Sequence, residues 1–152
     1  MIKKIIPIVA IILFIIPIII LTSKTYFSCD VKPDKKYKNL GNINYQEYQC
    51  LINSNEKVVI MYTQSNCSFC KDFKPIINKY AKKNKTPIYV LEIDTVKASY
   101  NEITRNIPYF SKHTSWGTPL TLALKQKEVI TKMTGYTKDK YELNDFFKEL
   151  KK

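Results

Sequence analysis

Residues 58–70 read VVIMYTQSNCSFC, an apolar run followed by a short polar link and two cysteines. The run Val58–Tyr62 is continuous, rich in β-branched residues and of strand length, which predicts a strand buried on both faces. Over residues 70–83, apolar side chains recur at three- and four-residue steps, as in an amphipathic helix. The cysteine pair is therefore expected where a central strand passes into a helix.

This placement predicts the chemistry of the two cysteines. Free backbone N–H groups and the helix dipole at a helix start stabilise a thiolate. We expect Cys67 to be the exposed nucleophile and Cys70 the more buried resolving thiol. Lys71 and Lys74 add positive potential beside the sulfurs, which also favours the thiolate.

Other interpretations of the pair are open at this point. Zinc prefers four ligands, and Cys29, Cys50 and His113 could in principle complete a site, but their spacings fit no compact zinc pattern. A buried, unreactive cysteine pair is a further alternative. We expect no bound metal and no cofactor other than a redox-active Cys67–Cys70 disulfide.

The remaining pattern predicts alternating helices and strands. Helices are expected over residues 44–53, 70–83, 100–106 and 138–150, and strands over residues 58–62, 88–93, 120–124 and 128–133. The polar turn 125–127 makes a hairpin of the last two strands, whereas strand–helix–strand order implies parallel pairing. The sequence therefore predicts an α/β fold with a mixed central sheet flanked by helices.

From about Asn42 to Leu150 the chain resembles the thioredoxin fold. Residues 67–70 take the place of the family's active-site dithiol, and Pro75 matches the proline that kinks the helix after it. Residues 117–122, GTPLTL, look like the segment that holds the family's cis-proline. Two further matches are the hairpin turn at residues 125–129 and the glycine before the last helix, Gly135.

The resemblance implies a substrate site around the dithiol. It places a cis bond at Thr118–Pro119 facing the cysteines, so that the backbone of Thr118 can pair with an extended substrate strand. Ser68 and Phe69, between the cysteines, are expected to contact the same substrate. The alternative is an ordinary trans proline that starts an edge strand.

The chain departs from the family pattern at two positions. Asn66 stands where the family's reductases usually carry Trp before the first cysteine. Met61 stands where they place a buried Asp that assists deprotonation of the resolving thiol. Met61 cannot transfer a proton, so either water or another group must serve, and Glu92 and Asp94 on the neighbouring strand are candidates.

The N-terminal region has a different character from the rest of the chain. Every residue from Ile5 to Leu21 lacks a charged or polar side chain, which predicts a transmembrane signal-anchor over residues 1–23 that contacts the lipid bilayer through residues 5–21. The alternatives are a cleaved signal peptide and a lipoprotein processed at Cys29. A Lys-rich tether over 24–42 and a thioredoxin-like domain over 43–152, outside the cell, complete the expected organisation.

The amino-acid composition indicates which classes of partner the protein is expected to bind. The chain carries 25 Lys and Arg against 13 Asp and Glu, a net charge of +12, and only Arg105 is arginine. Arginine is the better bidentate phosphate ligand and no RNA-binding signature accompanies the charge, so we expect no nucleic-acid partner. Attraction to anionic headgroups or cell-wall polymers is one interpretation of the charge, and a merely solvated surface is the other.

Four residues outside the main motif are each open to two interpretations. Cys29 and Cys50 either form a second disulfide or stay unpaired. His113 either tunes a thiolate at the rim of the site or lies in a solvated loop. Trp116 either lines the substrate groove or only packs.

Anchor, tether and domain together resemble the membrane-attached thiol–disulfide proteins of low-GC Gram-positive bacteria, and within them the bacteriocin-associated accessory proteins. This resemblance implies a protein-disulfide oxidoreductase that exchanges disulfides with exported proteins or peptides and with a membrane redox partner. The missing Asp, the nearby lysines and the expected location outside the cell favour oxidation slightly over reduction. The alternatives are a non-catalytic accessory or binding module for a secretion or bacteriocin system, and metal delivery through the dithiol.

Overall fold

The computed structural model describes residues 29–152, which form one five-stranded mixed sheet with helices on both faces. The strand order is β1-β3-β2-β4-β5. The strands are β1 (Leu40–Asn42), β2 (Lys57–Thr63), β3 (Ile88–Glu92), β4 (Leu120–Lys125) and β5 (Glu128–Thr134). The helices are α1 (Tyr45–Asn53), α2 (Ser68–Asn84), α3 (Tyr100–Thr104), α4 (Pro108–Lys112) and α5 (Lys140–Glu149). The mixed α/β architecture predicted from the sequence is confirmed.

Strand β2 lies at the centre of the sheet. It pairs in parallel with β3 and antiparallel with β4. All of its residues after Lys57 are buried, as the continuous apolar run predicts. Its carboxyl end leads directly into the cysteine pair and α2.

The two faces of the sheet carry separate core clusters, because successive strand residues point to opposite sides. Val59 and Met61 pack with the apolar faces of α2 and α5. Ile60 and Tyr62 pack with α1, α3 and α4 on the other face.

The sheet begins earlier in the chain than expected. Strand β1 lies inside the segment assigned to a tether, and it pairs with β3 from Leu40 to Asn42. Leu40 is 2% exposed. The folded unit therefore starts before residue 43, and the tether boundary is corrected. The predicted anchor over residues 1–23 and the start of the tether, residues 24–28, lie outside the described residues.

The segment between β3 and β4 contains two short helices where one was expected. Helix α3 ends at Thr104, and Pro108 begins α4 by occupying its first turn, where a missing N–H costs nothing. Within residues 29–152, no helix is both long and apolar enough to cross a membrane.

The position of β1 in the core gives a stability prediction. Leu40→Ala should lower the free energy of unfolding by about 2 kcal/mol or more, because it removes a buried side chain from the layer under α2. Urea unfolding of Leu40→Ala and Lys38→Ala checks this. Lys38 is an exposed neighbour, so Lys38→Ala is the control. Equal midpoints for the two variants would contradict the inclusion of β1 in the folded core.

Candidate active site

Cys67 and Cys70 form a disulfide at the start of α2. Cys67 is the N-cap residue of this helix, and its Sγ accepts a hydrogen bond of 3.0 Å from the backbone N–H of Cys70. Cys67 is half-buried, whereas Cys70 is only 1% exposed. A partner can therefore reach the sulfur of Cys67 but not that of Cys70, which is the division of access expected from the sequence.

The segment before β4 forms the opposite side of the site. The Thr118–Pro119 peptide bond is cis. The carbonyl oxygen of Thr118 lies 3.6 Å from the Sγ of Cys67, and its Oγ1 donates a hydrogen bond of 3.1 Å to Oε1 of Gln64. Because β4 runs antiparallel to β2, the residues that enter β4 lie beside the residues that leave β2.

The turn after β5 forms a backbone hydrogen bond to Pro119. The backbone N–H of Gly135 donates a hydrogen bond of 2.8 Å to the carbonyl oxygen of Pro119. Gly135 has a φ of +79°, a left-handed conformation that glycine adopts without steric cost. The matches at Pro119 and Gly135, noted separately in the sequence, therefore form a single structural unit.

A shallow groove of about 320 Å³ runs past the exposed sulfur. Its lining residues are Gln64, Asn66, Cys67, Ser68, Phe69, Asp94 and Thr118. Phe69 is 62% exposed, and its ring lies 6.1 Å from that of Tyr136. Larger depressions lie along α1, but neither Cys67 nor Cys70 lines them. Three of the four predicted substrate contacts, Ser68, Phe69 and Thr118, line the groove, and Pro119 lies directly beside it.

The two carboxylates proposed to replace the family's buried Asp are placed differently. Asp94 is exposed at the groove, where it accepts hydrogen bonds from the backbone N–H of Ser65 at 3.0 Å and from its Oγ at 2.5 Å. These bonds hold the pKa of the Asp94 carboxyl below its usual value. Glu92 ends β3 opposite Thr63 and does not line the groove. Met61 is fully buried under α2.

The remaining candidates lie away from the groove. Cys29 and Cys50 form a disulfide, and so does the Cys67–Cys70 pair, which leaves no free cysteine among residues 29–152. His113 stacks on Tyr109, with ring centroids 4.1 Å apart. Within the same range, no group of three or more His, Cys, Asp or Glu side chains is placed to hold a metal ion.

Trp116 packs and does not line the groove. Its ring contacts three other aromatic rings, those of Tyr62, Phe110 and Tyr100.

Sequence reasoning missed three polar residues near the dithiol. Gln64 accepts the hydroxyl hydrogen bond of Thr118, and Ser65 holds Asp94. Thr121 is fully buried two residues after Pro119. Gln64 and Ser65 follow the end of β2 and belong to no motif. Thr121 lies in the cis-proline segment, residues 117–122, and is a polar residue in an otherwise apolar stretch of β4.

Residues 46–151 match a family described as the thioredoxin-like domain. The chain belongs to this family. Among solved structures, it is similar to thioredoxin from Plasmodium falciparum, with 16% sequence identity, a TM-score of 0.52, and coverage of 71% of this chain and 96% of that chain. Thioredoxin from Trypanosoma brucei brucei gives 11% identity, a TM-score of 0.53, and coverage of 80% and 96%.

A third similar structure comes from work on thiol resolution in yeast mitochondrial 1-Cys peroxiredoxin via the glutathione and thioredoxin systems. It shares 18% identity, with a TM-score of 0.51 and coverage of 76% and 96%. At these identities the structural likeness establishes the fold alone. The thioredoxin-like fold and the Cys67–Cys70 pair together support thiol–disulfide oxidoreductase chemistry in general.

The hydrogen bonds at Asp94 give a pH prediction. They stabilise the carboxylate, so the pKa in the folded state is depressed, and their contribution to stability is lost as pH falls through that depressed pKa. Ser65→Ala removes the Oγ donor and should raise the pKa of Asp94 towards its usual value, as measured by NMR titration. Ser68→Ala, in the same groove, is the control and should leave this pKa unchanged. An unchanged pKa in Ser65→Ala would show that the hydroxyl does not hold the carboxylate.

Proposed function

We propose that this protein is a membrane-attached thiol–disulfide oxidoreductase that exchanges disulfides with exported proteins or peptides. The observation that carries the proposal is the arrangement of the dithiol: an accessible Cys67 sulfur in a groove, beside the Thr118 carbonyl, with a buried Cys70 behind it. The backbone of Thr118 offers pairing to an extended substrate segment, while Ser68 and Phe69 line the same groove and Pro119 borders it.

In the oxidising direction, a substrate thiolate attacks the Sγ of Cys67. The Cys67–Cys70 bond breaks, and Cys70 leaves with the electron pair as a thiolate. A second substrate thiolate then attacks the substrate sulfur of the mixed disulfide and releases the Cys67 thiolate. The substrate loses two electrons, the dithiol gains them, and a membrane redox partner returns the pair to the disulfide. In the reducing direction the same steps run backwards.

The surroundings of the sulfurs favour oxidation slightly over reduction. Stabilising the thiolate form stabilises the reduced protein, which makes a dithiol a stronger oxidant. The Cys70 N–H is directed at the Sγ of Cys67, and Lys71 and Lys74 follow in the first turns of α2. Met61 offers no carboxylate to accept the proton of Cys70, which a reductase needs for efficient resolution.

The location rests on the sequence and on the second disulfide. The apolar run over residues 5–21 is long enough to anchor the chain in a bilayer. The Cys29–Cys50 bond supports an oxidising compartment, since structural disulfides persist there and are rare in the cytosol. We further propose that the protein is related to the bacteriocin-associated accessory proteins. We also propose that it acts without a nucleic-acid partner.

Trapping the mixed disulfide tests the function. Cys70→Ser should accumulate disulfide-linked adducts on Cys67, because the resolving thiol is absent, and these adducts should be visible on non-reducing gels and by mass spectrometry. Cys67→Ser is the matched control and should trap little, since Cys70 is buried.

Two outcomes would contradict the proposal. One is the absence of adducts in Cys70→Ser when substrate proteins that carry disulfides are present, because the Cys67 thiolate then attacks a substrate disulfide and one substrate sulfur leaves as a thiolate. The other is full biological function after replacement of both cysteines, which would indicate a non-catalytic accessory module. Stoichiometric Cu(I) or Zn(II) on the purified protein would instead indicate metal delivery.

A further inference from the structure

Thr121 carries a polar group that nothing in the described structure uses. Its side chain is fully buried, and its hydroxyl has no hydrogen-bond partner among residues 29–152. An unpaired buried hydroxyl costs folding free energy, because it gives up its hydrogen bonds to water without replacing them. A valine has the same shape and would avoid that cost, so the hydroxyl calls for an explanation.

The register of the sheet places Thr121 on the face that packs against α2. It lies directly opposite Met61 of β2 and Met133 of β5, and residues paired in this way project to the same face. Met61 and Met133 pack in the cluster that contains Phe73 of α2. Cys70 lies one helical turn before Phe73, on the same buried stripe of the helix.

Thr121 and Cys70 also lie at the same end of the sheet. Thr121 is the second residue of β4 and follows Pro119, whose preceding carbonyl is 3.6 Å from the Sγ of Cys67. Cys70 is in the first turn of α2. The hydroxyl and the buried sulfur therefore belong to one layer, at the end where the disulfide opens.

We infer that the Thr121 hydroxyl is the hydrogen-bond donor for the Cys70 thiolate that forms when the disulfide is reduced. This inference rests on the proposed function. In the disulfide state the sulfur shares its electron pair with Cys67, and the hydroxyl has no partner. When an incoming thiolate breaks this bond, Cys70 takes the electron pair, and its sulfur becomes a charged acceptor in the buried layer that holds the O–H of Thr121.

This pairing stabilises one redox state only. The unpaired hydroxyl destabilises the oxidised protein, whereas its hydrogen bond to a thiolate stabilises the reduced protein. Both effects make the dithiol more oxidising, in the direction proposed above. Met61 and Met133, the cross-strand neighbours of Thr121, have no proton to donate to the sulfur.

The test compares thiol–disulfide equilibria of full-length variants in detergent. Each variant is equilibrated with glutathione buffers, and the reduced fraction of Cys67 and Cys70 is read by alkylation and mass spectrometry. Thr121→Val should shift the equilibrium about tenfold towards the disulfide, a potential about 30 mV lower. Thr121→Ser keeps the hydroxyl and should stay within about twofold of the parent, as should Met61→Leu, an apolar change on the same face.

A second measurement separates this role from a structural one. Thr121→Val should raise the unfolding temperature of the oxidised protein and lower that of the reduced protein, whereas a packing effect would move both in the same direction. The inference is overturned if the Thr121→Val equilibrium matches the parent, or if Thr121→Ser shifts it as far. Neither measurement depends on substrate turnover, so the two proposals can fail separately. The role of Thr121 can be wrong while Cys70→Ser still forms adducts with substrates. Equally, Cys70→Ser can fail to form adducts while the role of Thr121 is right.

Discussion

The antiparallel pairing of β2 with β4 is the constraint on which the site depends. It brings the residues that leave β2 beside the residues that enter β4, so that the Sγ of Cys67 meets the carbonyl of Thr118. The same pairing sets Thr121 opposite Met61. A shift of one residue in this register would reverse which face each side chain occupies and would separate the hydroxyl from the layer of the buried sulfur.

Backbone groups contribute directly to the electrostatics of the dithiol. The N–H of Cys70 is directed at the sulfur of Cys67, and the start of α2 adds its dipole. Asp94 is the carboxylate of the groove, and Ser65 binds it at the exposed rim. A site built in this way suits a reactive thiolate at the surface. Met61, which is fully buried, stands where the family's reductases place a buried Asp.

Much of the fold follows from local patterns. The continuous apolar run of β2 and the helical spacing of α2 place the cysteines at a strand-to-helix junction, as the structure confirms. The cis bond before Pro119 came from the family resemblance, since isolated sequence physics favours a trans proline. Strand β1 escaped prediction because three residues in a Lys-rich segment carry no period, and its burial depends on pairing with β3.

Other features depend on contacts between distant parts of the chain. Pro108 lies after the end of α3 and is the first residue of α4. A proline in the sequence indicates a helix boundary, but it does not show whether a helix ends before it or begins at it. The bond from Thr118 to Gln64 spans the two strands that frame the groove. The burial of the Thr121 hydroxyl appears only once α2 covers the sheet, so no local pattern could have revealed it.

The reduction potential of the Cys67–Cys70 pair tests the central claim most directly. A working dithiol requires an accessible, stabilised thiolate. We therefore expect a potential between about −270 and −120 mV, the range spanned by exchange-active dithiols from reductant to oxidant. A potential below about −300 mV, typical of disulfides that serve only structure, would contradict it.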